Sequence, residues 1–143
     1  FAIDPLRLAA GHDLVAEALA WARPRLGPAP LVVYATAEPD AVRAVQQQLG
    51  AGPAGALVEQ ALARIARGLV EAGVGQLIVA GGETSGACVQ ALGITQLRIG
   101  MQIDPGVPWC HAATPARAAG LHLALKSGNF GGSDFFGRAF GLP

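Results

Sequence analysis

Leu77 to Gly93 reads LIVAGGETSGACVQALG, and this stretch decides the fold. Leu77–Ala80 is a short apolar run of the kind that forms a buried strand, Gly81 and Gly82 interrupt it, and a short helix follows, closed by Gly93. Thr84 or Ser85 is the expected helix cap. A strand handed to a helix through glycines is the βα unit of an α/β protein. It also carries chemistry. The first turn of a helix points unpaired N–H groups outward at the positive end of its dipole, where phosphate binds well. Glycines without side chains let a ligand reach that backbone. The same residues also make an ordinary βα turn, so this loop alone leaves phosphate binding open.

Around that unit the pattern continues. HDLVAEALAWARPRL places Leu14, Val15, Ala18, Leu19 and Ala22 at helical spacing until Pro24 ends it. PLVVYAT (Pro30–Thr36) reads as a buried strand, and AEPDAVRAVQQQLG as a helix with Pro39 in its first turn and Gly50 at its end. Ala54–Ala72 is the clearest helix: Leu57, Val58, Ala61, Leu62, Ile65, Leu69 and Val70 form one stripe, with Glu59, Arg64, Arg67 and Glu71 facing elsewhere. QLRIGMQI and LHLALK alternate as a third and a fourth strand, and SDFFGRAFG reads as a final helix capped by Ser133 or Asp134, with Phe135 and Phe136 in the core. Gly50–Gly55 and Asp104–Gly120 read as loops, the second stiffened by Pro105 and Pro108. The expected architecture is a layered α/β/α domain with a mostly parallel sheet, or a mixed one.

Composition narrows the function. The 143 residues fit one domain, 52% are hydrophobic and 14% charged, and ten basic residues balance ten acidic ones. That leaves no electrostatic footprint for nucleic acid or an anionic membrane. No apolar run approaches the roughly 18 residues of a membrane span. Cys88 and Cys110 are too few for a disulfide scaffold, so the cytoplasm is the expected compartment. The alanine-rich helices offer a surface for a homo-oligomer. Phe1 opens the chain and Met101 is its one methionine, which reads as a piece of a longer protein.

A second glycine loop leaves a strand end in LALKSGNFGG, Leu123 to Gly132. It would lie beside the first if the two strands are neighbours. Lys126 would then bring a cation, Gly128 close backbone approach, and Asn129 side-chain hydrogen bonds or a left-handed turn. Two such loops point to a nucleotide or another phosphate ligand. Neither of these two loops is a G-x-x-x-x-G-K-[ST] loop or a G-x-G-x-x-G turn, and G-x-S-x-G is missing too. His12, His111 and His122 lack metal-ligand spacing, so no protein metal site is expected. Cys88 reads as packed and Cys110 lacks an evident His partner. Trp109 either stacks on a base or anchors its loop. Glu83 either reaches a magnesium ion through water or compensates the helix dipole.

VAGGETSGACVQALG, RIGMQIDPGVPW and LALKSGNFGGSDFF, taken together, resemble the C-terminal nucleotide-binding domain of the four-carbon acid sugar kinases. The likeness runs from about Leu31 to the C-terminus, and the KSGNFG form is similar to the 3-oxo-tetronate 4-kinase branch. The resemblance implies ATP-dependent phosphorylation of the 4-hydroxyl of a four-carbon sugar acid, with Mg²⁺. It implies Gly81, Gly82, Glu83 and Thr84 on one side of the ATP site and Gly128 on another, with Lys126, Ser127 and Asn129 as secondary candidates. The family's N-terminal domain, with its DDxTG-like motif, sugar-acid site and catalytic base, has no counterpart here. Residues 1–143 would then be a single nucleotide-binding domain, the C-terminal fragment of a two-domain kinase and inactive alone. A non-catalytic α/β module that senses a phosphorylated metabolite would keep the same loops, and a purely structural α/β domain would keep them as turns.

Overall fold

The structure, a computed structural model, describes residues 1–35, 47, 50–128 and 130–141. The helix expected over 37–50 lies almost wholly outside the described residues. Two short helices open the chain. Asp4 caps α1 (Pro5–Ala9) by accepting from the Leu6 amide at 2.8 Å, and Asp13 caps α2 (Leu14–Ala22) by accepting from Ala16 at 3.0 Å. Pro24 then sits in a single 3₁₀ turn, Arg23–Arg25, as its missing N–H requires.

The long helix α3 (Ala51–Glu71) begins three residues earlier than the periodicity suggests. Gly50–Gly55 is therefore helix rather than loop from Ala51 onward. Pro53 falls in the first turn, where no intrahelical N–H is lost. Two faces of α3 are buried. Ala61 and Ile65 pack with Ile3, Leu14, Val15 and Ala18, while Ala63, Ala66 and Val70 pack with the sheet residues Val79, Ala112, Leu121 and Leu123. PLVVYAT is a correction. Among its described residues a parallel bridge, Ala2 to Tyr34, is the pairing that forms, apart from the sheet, and Val32 and Tyr34 are exposed. Leu31, Val33 and Ala35 are half-buried, so only one side of this segment is covered.

The sheet contains β1 (Gln76–Ala80), β2 (Arg98–Asp104), β3 (Val107–Thr114) and β4 (Arg117–Lys126) in the order β1-β4-β3-β2. Helix α4 (Gly82–Ala91) follows β1, and α5 (Phe135–Ala139) follows β4. The α/β class holds, and the sheet is the mixed form: β1 pairs parallel with β4, while β4–β3 and β3–β2 are antiparallel. The expectation of a mostly parallel sheet fails because Asp104–Gly120 is not a loop. It holds all of β3 and the start of β4, joined by the two-residue turns Pro105-Gly106 and Pro115-Ala116. Gly106 has φ +78°, as the third position of a Pro-Gly turn demands. Pro108 lies in a strand flanked on both sides, which is unusual for proline. The β2–β3 register shifts on either side of the Gln102–Pro108 pair, and this irregularity accommodates the missing N–H.

Helices α3 and α4 cover one face of the sheet through Val70, Cys88 and Leu92, which pack on Leu121 and Leu123. Near the end of β4, α5 covers the other face. There Phe135 packs with Val107 and Ala124, joined by Ile78 and Trp109. Phe136 corrects the expectation of a core residue: it is 50% exposed. A five-residue helix has a single inward stripe, and Phe135 occupies it.

Candidate functional site

Parallel pairing of β1 with β4 sets Ala80 opposite Lys126, so the two strands end side by side. The Gly81 amide donates to the Lys126 carbonyl at 2.8 Å and locks the two tips together. The structure thus brings together the two glycine loops, which lie forty-odd residues apart in sequence.

In the first loop Gly81 is the cap of α4, with φ +117°, and no side chain caps this helix. The cap expected at Thr84 or Ser85 is corrected, because the helix starts at Gly82. The first intrahelical bond runs from the Ser85 amide to the Gly81 carbonyl, at 2.9 Å. The amides of Gly82, Glu83 and Thr84 therefore belong to the turn that has no intrahelical acceptor. Ser85 instead turns into the core, where its Oγ has no hydrogen-bond partner among the described residues. Gly82 and Glu83 are exposed, and Thr84 is half-buried.

In the second loop Ser127 and Gly128 are exposed, and a turn closes with the Phe130 amide donating to the Ser127 carbonyl at 3.1 Å. Lys126 Nζ donates to the Gly128 carbonyl at 2.7 Å, so the ammonium already sits at the loop. Asn129 lies outside the described residues.

The glycines of the two loops are not alike. Gly81 and Gly131 have φ of +117° and +88°, a region costly for other residues, so the backbone itself explains them. Gly82 and Gly128 are different. Neither has a positive φ, and a Cβ at either would meet no neighbouring atom of the fold within 4 Å. The fold makes no demand for glycine at these two positions, and both face open space beside the joined strand tips.

Glu59 of α3 is a neighbour that the sequence does not reveal, since on the helix pattern it simply faces away from the stripe. Desolvation pushes its carboxyl above the ordinary 4.5, and the Glu83 carboxylate adds to this by charge and by a hydrogen bond. A carboxyl that holds its proton more tightly when folded stabilises the fold below pH 4.5, and that contribution is lost as pH rises through the raised value. Glu59→Gln is therefore expected to melt higher than wild type at neutral pH, with the two curves converging toward about pH 4. Melting curves across that range check it, and a constant offset between the proteins would refute the coupling.

Other candidates are placed elsewhere. Trp109 anchors: its Nε1 donates to the Ala139 carbonyl at 3.3 Å, and its ring meets Phe140 edge-on at 5.9 Å. Burial pushes the Cys88 thiol up to about 11, so it carries no thiolate at neutral pH. His111 and His122 face each other across β3 and β4 with ring centroids 5.3 Å apart, and His12 lies before α2. Among the described residues no three His, Cys, Asp or Glu side chains group to hold a metal. A hollow of about 270 Å³ on the open sheet face is lined by Gln76, Arg98, Met101 and the two facing histidines, at the start of β1 and the middle of β4, away from the loops. No helix among the described residues is long and apolar enough to cross a membrane.

Known proteins resemble the chain over nearly its whole length. The chain is 58% identical to the 3-oxo-tetronate kinase of Pseudomonas fluorescens over 139 residues, covering 97% of this chain and 31% of that protein. It is also 58% identical to the 3-oxo-tetronate kinase of Burkholderia multivorans, covering 97% of this chain and 32% of the relative. The chain thus spans about a third of the length of these curated relatives. A solved Haemophilus influenzae structure superposes with a TM-score of 0.86 at 40% identity, over 99% of this chain and 34% of that one. Residues 1–136 match the nucleotide-binding C-terminal domain, and the chain belongs to that family.

Proposed function

We propose that this chain is the ATP-holding domain of a kinase that phosphorylates the 4-hydroxyl of a four-carbon sugar acid, 3-oxo-tetronate foremost. One observation carries the reading of the site: Gly82 and Gly128 are glycines that the fold does not require, facing open space where two strand ends meet. Close approach of a ligand to the backbone accounts for them. The amides of Gly82, Glu83 and Thr84 suit a polyphosphate at the positive end of α4, with Gly128 and the Lys126 ammonium on its other side. Ser127 lines the same edge.

In this reading, residues 1–143 form one nucleotide-binding domain, the C-terminal part of a two-domain kinase. The sugar-acid site and the catalytic base belong to the other domain. The substrate assignment is supported by the names of the relatives, two of them 58% identical. The residues contribute positioning and charge neutralisation, which is most of what phosphoryl transfer asks of a protein. Mg²⁺, a cation that prefers phosphate and water as ligands, would be held mainly by the polyphosphate, with Glu83 as the carboxylate that could join its water shell. It would offset phosphate charge there. The cytoplasm, where ATP is available, is the compartment this reading requires.

The test is phosphate transfer from ATP by the full-length protein across a panel of four-carbon sugar acids. Turnover of 3-oxo-tetronate above the threonates and erythronates supports the assignment. ATP binding without transfer to any member of the panel would overturn the kinase reading.

A further inference from the structure

Asp104 closes β2 at the Pro105-Gly106 turn, and its carboxylate is 13% exposed. One oxygen, Oδ2, accepts two hydrogen bonds: from the Gly132 amide at 2.9 Å and from Arg138 Nη2 at 2.7 Å. Arg138 also reaches Asp134 through Nε at 3.0 Å, which ties α5 into the same group. The Phe130 ring lies over Gly106 so closely that a Cβ there would come within 2.9 Å of it. The C-terminal half of the second loop, residues 130–132, is thereby fastened to the β2–β3 turn. Its N-terminal half, Ser127 and Gly128, is exposed and, among the described residues, held by its own turn and by Lys126.

From this arrangement we infer that Asp104 is a positioning residue for nucleotide binding: through Gly132 and Arg138 it fixes where the second glycine loop presents Gly128 beside Lys126. The inference rests on reading the two loops as the nucleotide site. Charge-assisted bonds to one half-buried carboxylate are short and directional. A loop held in place before the ligand arrives loses less freedom on binding than one that must be ordered. Asp104 itself touches no ligand in this scheme.

The experiment uses the full-length protein, ADP as the probe, and the variants Asp104→Ala, Arg138→Gln and Arg138→Lys. Calorimetry gives the Kd, hydrogen exchange reports the Gly132 amide, and thermal melting follows the fold. Arg138 is 45% exposed, so its variants are expected to fold even if Asp104→Ala does not. The expected result is exchange at Gly132 accelerated in Arg138→Gln together with ADP binding weakened about tenfold, and most of the affinity recovered in Arg138→Lys. Faster exchange with unchanged ADP affinity would overturn the positioning role, as would unchanged exchange. Failure of the unaltered protein to bind ADP would instead overturn the nucleotide reading, and this inference would fall with it.

Discussion

Gly82→Val is expected to weaken ADP binding by about a hundredfold or more while the melting temperature stays within a few degrees of wild type. The two halves of that expectation have separate causes. In the fold, position 82 is the first residue of α4, without a positive φ, and a Cβ there meets nothing within 4 Å. Valine is a better helix residue than glycine, so the helix itself does not suffer. At the site, the added isopropyl group fills the space through which a polyphosphate would approach the amides of Gly82, Glu83 and Thr84. Hydrogen bonds to charged groups contribute about 1.5–3 kcal/mol each, and losing two exceeds the ~2.7 kcal/mol that a hundredfold change represents. Calorimetry with ADP and Mg²⁺ on the wild type, Gly82→Ala and Gly82→Val is the measurement, with alanine falling between the others. Equal affinities across the three would remove the first loop from the site.

The largest effect on stability is expected from Phe135→Ala. Phe135 is 1% exposed and joins Val107 and Ala124 beneath α5. Truncating a buried phenylalanine to alanine costs about 3–5 kcal/mol, through lost burial and the cavity left behind. A ring so close to Gly131 that a Cβ there would sit 2.8 Å away also supports the second loop from below. ADP affinity is expected to fall along with stability in this variant. Phe136→Ala is the control: its side chain is 50% exposed, and it should change stability by only about 0.5 kcal/mol. Urea unfolding of the two variants decides, and similar midpoints would place the anchor of α5 elsewhere.

What the sequence reveals and what it hides follow from how far apart the deciding residues lie. Leu77–Gly93 is legible because its strand, its glycines and its helix are all consecutive. α3 is legible because its periodicity is sustained, although Pro53 disguises the first turn as a loop. β3 is hidden because Pro108 argues against a flanked strand, and only the irregular register opposite Gln102 makes room for it. That omission alone turns a mixed sheet into an apparently parallel one. The caps mislead for a related reason. Thr84 and Ser85 are good capping residues, yet Gly81 takes the position because the chain leaves β1 through a left-handed conformation.

In the site, the two glycine loops are visible locally, and their meeting is not. It depends on the β2–β3–β4 meander returning the chain beside β1, with Ala80 opposite Lys126. Glu59 and Asp104 are further cases. Each acts on a loop through tertiary contact, with Glu83 or with Gly132 and Arg138, and no local pattern marks either of them.

The sheet order places β2 at the margin farthest from β1, and Ile99 and Met101 there are 75% and 81% exposed. Among the described residues no strand lies beyond it, so its outer backbone groups form a template onto which a further ribbon of chain can be laid. A ribbon added on that flank would have two strands, β3 and β2, between it and Lys126 and leave the ledge after Ala80 uncovered, while its end came to rest near Asp104. Growth of the sheet along β2 would therefore leave the joined tips of β1 and β4 open.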